Sequence, residues 1–237
     1  VLRAIKIVWL YAWAISATLA VFLPLMIASL ITPSSNAAFE LSRLWALVLI
    51  KAAGVRLTVR NRERIDPNQS YIIISNHQSH FDSLALVRTL GIPFRWVAKT
   101  ELQRIPLFGH ALRALGTVFI DRTNRESAIA SIRRGVGQMP RGVSLIFFPE
   151  GTRSEDGAIG TFKKGGFITA IEAGWPILPV TVTGSRHVLP KGSPVFQSGP
   201  IDIVVGDPIE TKDDAFGDIE ALVMKTRSVI IENGRFK

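Results

Sequence analysis

Two side chains in this sequence are spaced to act as a proton-transfer pair. They are His77 and Asp82, within Asn76-His77-Gln78-Ser79-His80-Phe81-Asp82. A carboxylate that accepts the Nδ1 proton of an imidazole leaves Nε2 free as a base near neutral pH. On a regular helix, residues five apart lie on different faces, because the neighbours are i+3 and i+4. The pair therefore predicts a turn that becomes a helix, with the carboxylate folding back onto the ring. A second reading fits the same residues: Ser79 caps the helix and Asp82 reaches back to the cap, as in a capping box. His80, His110 and His187 have no Asp five later and read as surface or core residues.

Three further blocks carry charge or tight turns. Gly116-Thr-Val-Phe-Ile-Asp121-Arg122 reads as a strand that exits on an acid and a base. Phe148-Pro149-Glu150-Gly151-Thr152-Arg153-Ser154 packs a carboxylate, a glycine, a hydroxyl and a guanidinium into one turn. Such a turn suits an anion: Arg153 can grip a phosphate bidentately while Gly151 lets backbone N–H groups approach. A solvated charged turn fits the same block taken alone. Phe162-Lys163-Lys164-Gly165-Gly166 opens a helix, and a helix N-terminus also favours anions. Pro176-Ile177-Leu178-Pro179-Val180 reads as prolines shaping a strand entry.

The elements that must hold these blocks alternate after Gly54. Strand-like runs fall at residues 55–59, 71–75, 94–97, 117–120, 143–148, 177–183 and 201–205. Helix-like stretches fall at 83–89, 127–136, 167–172 and 219–232. This predicts an α/β domain with a mostly parallel sheet flanked by helices. His77 then sits where a strand's carboxyl end turns into a helix, the usual place for a site in an open α/β sheet.

The N-terminal part differs. Residues 7–31 carry no charge, a run that predicts a membrane-embedded segment longer than a signal peptide's apolar core. Pro24 interrupts it, residues 32–36 end it, and an amphipathic stretch follows from Ala37 to Ala53. Leu44, Leu47, Val48 and Ile50 are available for its apolar face. The expectation is an N-terminal membrane-embedded helical hairpin over 1–54 and the α/β domain over 55–237. Arg3 and Lys6 favour a cytosolic N-terminus, so a hairpin in one leaflet, or a span that returns, keeps the domain cytosolic.

The 237 residues contain no cysteine, which excludes disulfides, thiolate metal sites and cysteine nucleophiles. The formal charge of +9 favours an anionic partner. Nucleic acid is disfavoured, because the basic residues are scattered and no zinc-finger, RNA-binding or basic-heptad pattern is present.

Taken in order, the blocks Asn76–Asp82, Gly116–Arg122, Phe148–Ser154 and Ile177–Val180 resemble those of the glycerolipid acyltransferase family typified by 1-acylglycerol-3-phosphate acyltransferases. The stretch Lys99-Thr-Glu101-Leu102 with Pro106 and Gly109 resembles the family's segment between the first two blocks. The resemblance covers roughly residues 55–206. It implies that His77 is the general base and Asp82 its orienting partner. It implies that Arg122, Arg153 and Lys99 hold the acceptor's phosphate, with Glu150, Gly151 and Thr152 shaping the pocket. Transfer would be direct, from acyl-CoA or acyl-carrier protein to the 2-hydroxyl of 1-acylglycerol 3-phosphate, with no metal and no bound cofactor. Ser79 and Thr152 are the conceivable nucleophiles of a covalent route. Glycerol 3-phosphate, another lysophospholipid or a lyso-aminolipid are alternative acceptors, and a non-catalytic lipid-binding protein is the alternative from another class. The implied location is a membrane, a bacterial inner membrane, with the catalytic domain on the cytosolic face.

Overall fold

The computed structural model describes residues 2–31, 36–121, 123–211 and 219–235. Two packed helices come first, α1 (Leu2–Ile31) and α2 (Ala37–Ala52). Pro24 lies inside α1 without ending it. Within α1, Ile7–Ile27 is long and apolar enough to cross a membrane. Trp45 of α2 donates its indole N–H to the Thr18 hydroxyl of α1 at 3.1 Å. The buried face of α2 is made by Phe39, Ser42, Ala46, Leu49 and Ile50, whereas Leu44 points outward. Of the four residues expected on one apolar face, Ile50 is buried, Leu47 and Val48 are half-buried and Leu44 alone is exposed, because the helix packs on α1 and on the domain together. Residues 32–35 of the expected polar turn lie outside the described residues.

Seven strands form one sheet: β1 (Arg56–Arg60), β2 (Ile72–Ser75), β3 (Phe94–Lys99), β4 (Val118–Ile120), β5 (Ser144–Phe147), β6 (Ile177–Thr183) and β7 (Pro200–Val205). Their order is β1-β7-β6-β2-β5-β3-β4, parallel throughout except that β6 and β7 are antiparallel. The helices are α3 (His80–Thr89), α4 (Phe108–Ala114), α5 (Arg125–Gly137), α6 (Gly165–Ala173), the single turn α7 (Ser185–Val188) and α8 (Ile219–Arg235).

Both faces of the sheet are covered, which is why the central strands read as unbroken apolar runs. Ile73, Ile146 and Leu178 pack with α2 and α3 on one face. Ile72, Ile74, Leu145 and Phe147 pack with α5, α6 and α8 on the other. Ile72, Ile73 and Ile74 have no exposed surface, and each such side chain contributes about 1.5–3 kcal/mol by burial. The strand that delivers His77 is thereby among the most firmly held parts of the chain.

Candidate active site

The register of the sheet brings the first and third blocks together. β2 and β5 pair in parallel with Ile72 beside Leu145 and Ile74 beside Phe147. Carrying that offset three residues past the last paired positions places His77 beside Glu150. There the His77 N–H donates to Glu150 Oε1 at 2.8 Å. The loop after β5 then returns the contact, as the Ser154 N–H donates to the His77 carbonyl at 2.8 Å. On the other side, the Asn76 amide takes the place of a strand residue. Its Nδ2 donates to the Val182 carbonyl and its Oδ1 accepts from the Val182 N–H, both at 2.8 Å.

Asp82 performs both of the roles that the sequence left open. Ser79 is extended at the N-cap of α3 (φ −151, ψ 161), and its hydroxyl accepts from the Phe81 N–H at 3.3 Å. Asp82 Oδ2 accepts from the Ser79 N–H at 2.8 Å, from the Gln78 N–H at 2.6 Å and from His77 Nδ1 at 2.8 Å. One buried carboxylate oxygen therefore caps the helix and orients the ring. Asp82 is fully buried, and its Oδ1 has no hydrogen-bond partner. The bond at Nδ1 assigns the proton to that nitrogen, so Nε2 carries the lone pair. The ring lies flat on Phe148, with centroids 3.9 Å apart and planes 10° apart, and Phe148 lies on Trp96 at 5.9 Å. Its side chain is 17 % exposed.

His77 borders a cleft of about 900 Å³ at the carboxyl ends of β2, β3 and β5. Lys99, Arg153 and Lys163 line it, and among the described residues none of the three side chains makes a hydrogen bond or ion pair. Gly151 and Thr152 also line it, Thr152 with its side chain exposed. Arg122 lies outside the described residues, although Ile120 of the same block reaches the cleft. Among the described residues no three His, Asp or Glu side chains stand together as a metal-binding set.

Two expected details differ. Glu150 is not in the lining of the cleft: its Oε1 is taken by His77 and its Oε2 by the Gly160 N–H at 3.0 Å, so the carboxylate braces the loop. Burial pushes the Glu150 carboxyl above its ordinary range, and these two N–H bonds pull it back in part. The backbone N–H groups expected to approach an anion around Gly151 do not include its own: the Gly151 N–H closes a turn onto the Phe148 carbonyl at 3.0 Å, with φ +75 at the glycine. Ser79, considered as a nucleophile, is buried and donates its hydroxyl to the Leu189 carbonyl at 2.8 Å.

Sequence reasoning passed over Arg227. From α8 it donates Nε to the Gly160 carbonyl at 3.1 Å and Nη2 to the Ile159 carbonyl at 2.6 Å. Since the Gly160 N–H holds Glu150, the C-terminal helix is tied through one peptide group to the residue that holds the His77 backbone. No local pattern marks Arg227, because its partners are main-chain atoms 67 and 68 residues away.

A second cavity, about 690 Å³ and almost wholly apolar, lies between the N-terminal helices and the domain. It shares Val97, Ala98 and Leu102 with the cleft. His80 borders it; partial burial, with the charge of Arg153 next, holds its imidazole below the ordinary value.

A mostly parallel sheet with a carboxylate-bound histidine at a central strand end, facing a basic cleft, makes an α/β site suited to proton transfer beside an anion. The profile of the family described as Acyltransferase matches residues 56–183, and the chain belongs to that family. It is 32 % identical over 171 residues to the chloroplast 1-acyl-sn-glycerol-3-phosphate acyltransferase LPAT1 of Arabidopsis thaliana, covering 71 % of this chain and 48 % of that protein. It is 33 % identical over 190 residues to human 1-acyl-sn-glycerol-3-phosphate acyltransferase alpha, covering 79 % of this chain and 67 % of that protein. The chain thus spans about half the length of the chloroplast relative it matches. The crystal structure of the 1-acyl-sn-glycerophosphate acyltransferase PlsC from Thermotoga maritima superposes with a TM-score of 0.83 at 26 % identity, covering 98 % of this chain and 94 % of that one.

Proposed function

We propose that the protein transfers a fatty acyl group from a thioester, acyl-CoA or acyl-carrier protein, to the 2-hydroxyl of 1-acylglycerol 3-phosphate, giving phosphatidic acid. The observation that carries this reading is the His77 ring, fixed by Asp82 with Nε2 unoccupied at the edge of a basic cleft. The names of the relatives support the same acceptor.

In this reading Nε2 takes the proton of the acceptor hydroxyl as its oxygen attacks the thioester carbonyl. The tetrahedral adduct collapses, the C–S bond breaks, and the imidazolium returns the proton to the departing thiolate. Asp82 balances the charge that the ring gains. Positioned base catalysis of this kind contributes about 10²–10⁴-fold. Arg153, Lys99 and Lys163 hold the acceptor phosphate, and Arg122 joins them by the order of the family's blocks. The apolar cavity takes acyl chain, since it adjoins the cleft and shares Val97, Ala98 and Leu102 with it. α1 lies in the membrane with the domain on the cytosolic side, where acyl thioesters are made.

The reading is tested with purified protein in vesicles, a long-chain acyl-CoA or acyl-carrier protein as donor, and a panel of acceptors. Product with 1-acylglycerol 3-phosphate above glycerol 3-phosphate and other lysolipids is expected. Preference for another acceptor changes the substrate, and no transfer to any acceptor removes the reading.

A further inference from the structure

Residues 105–108, between the turn after β3 and α4, hold their apolar side chains outward. Ile105, Leu107 and Phe108 are 44, 47 and 48 % exposed. The backbone there is strained: Leu107 has φ 62 and ψ −52, and the Phe108 N–H donates to the Pro106 carbonyl at 2.6 Å. This is a three-residue γ-turn with positive φ, a rare conformation that costs energy at any residue other than glycine. The strain is not offset by burying Leu107 in the fold, because it leaves that side chain half in the open.

The patch continues an apolar surface. Pro106, Leu107 and Phe108 line the apolar cavity together with Phe22 and Leu25 of α1. On the same stretch of α1, Leu19, Leu23 and Ile27 are 57, 63 and 46 % exposed. Contiguous apolar area of this kind marks an interaction site, and here its neighbour is the helix with the length and composition of a membrane span. Arg104 and Arg113 are exposed beside it. Cations at that border match the anionic headgroups that flank an acyl layer.

We infer that residues 105–108 are a second membrane contact, a loop seated in the acyl layer of an anionic phospholipid bilayer beside α1. The inference rests on the membrane reading of α1 given above. The packed pair α1 and α2 attaches the domain from one side. A second apolar seat fixes the tilt and turns this lining of the apolar cavity toward hydrocarbon, where lipid chains already are.

The absence of cysteine gives a direct test in the full chain. Leu107→Cys, labelled with a polarity-sensitive fluorophore, is bound to phosphatidylcholine–phosphatidylglycerol vesicles. Thr58→Cys, exposed on β1 at the opposite edge of the sheet, serves as the control. Flotation first measures the bound protein. The expected result is a blue-shifted label at 107 that brominated acyl chains quench and aqueous iodide does not, with the reverse at 58. Vesicle-bound protein whose label at 107 is as open to iodide as that at 58 overturns the inference while leaving the membrane reading of α1 intact. Failure to float overturns both.

Discussion

Replacing Asp82 by Asn separates the two duties of one carboxylate oxygen. In the native protein Oδ2 accepts three N–H groups at 2.6–2.8 Å, two from the helix cap and one from His77. An Asn carbonyl can accept the same three bonds without the charge. Bonds to charged groups contribute about 1.5–3 kcal/mol and neutral ones about 0.5–1.5. The three together lose about 3–4 kcal/mol. Removing a fully buried carboxylate also removes a desolvation cost of several kcal/mol. The net change in stability is therefore small, within about 2 kcal/mol. Catalysis has no such offset, because the imidazolium that forms in the reaction loses its counter-charge; turnover falls by about 10²–10⁴-fold. Asp82→Ala behaves differently. It strands three donors at about 1–3 kcal/mol each, a large part of a total stability of about 5–15 kcal/mol. Urea unfolding beside acyl-transfer kinetics on both variants is the assay. Asp82→Asn with turnover within a few-fold of wild type refutes the orienting role. Asp82→Asn as unstable as Asp82→Ala refutes the claim that the cap survives without the charge.

Other outcomes follow from the same geometry. Arg153→Gln removes a guanidinium that has no hydrogen-bond partner among the described residues at the cleft, so the KM for a phosphate-bearing acceptor rises about ten- to a hundredfold with little change in turnover or unfolding midpoint. Arg227→Ala frees the 159–160 peptide and lowers kcat/KM by roughly tenfold, and Arg227→Lys, which can reach one carbonyl, falls between the two in the same transfer assay. His80 is held low by burial and by Arg153, so its neutral form is the folded one. Its contribution is fully present above its unfolded pKa of about 6.5 and is lost as pH falls through the lower folded value. His80→Gln should flatten that acid limb in urea unfolding across pH 4–8, and an unchanged limb counts against the shift.

The strands were legible because burial on both faces forces unbroken runs such as Ile72-Ile73-Ile74, and the observed bounds lie within about two residues of the expected ones. The pairing of His77 with Asp82 was legible as an ambiguity, and the structure resolves it by giving one oxygen both partners. The neighbour relation of β2 and β5 was not legible. Nothing in either run states that the two strands, 73 residues apart, lie side by side, and that adjacency sets Glu150 against the His77 backbone. α4 and the turn before it were missed, since Ile105, Leu107 and Phe108 give no periodicity and face outward. Arg227 acts through main-chain carbonyls, which leave no trace in side-chain pattern. The reversal of β7 against β6 comes from the return by way of α7, which no local motif reports.

The central claim is that His77 Nε2 removes the acceptor proton. The most direct measurement is transfer from a long-chain acyl thioester to 1-acylglycerol 3-phosphate by wild type and His77→Ala, matched for fold by circular dichroism. The account predicts product from the wild type and a rate about a hundredfold or more lower in the variant, with the acceptor KM little changed. A folded His77→Ala protein that turns over at the wild-type rate contradicts it.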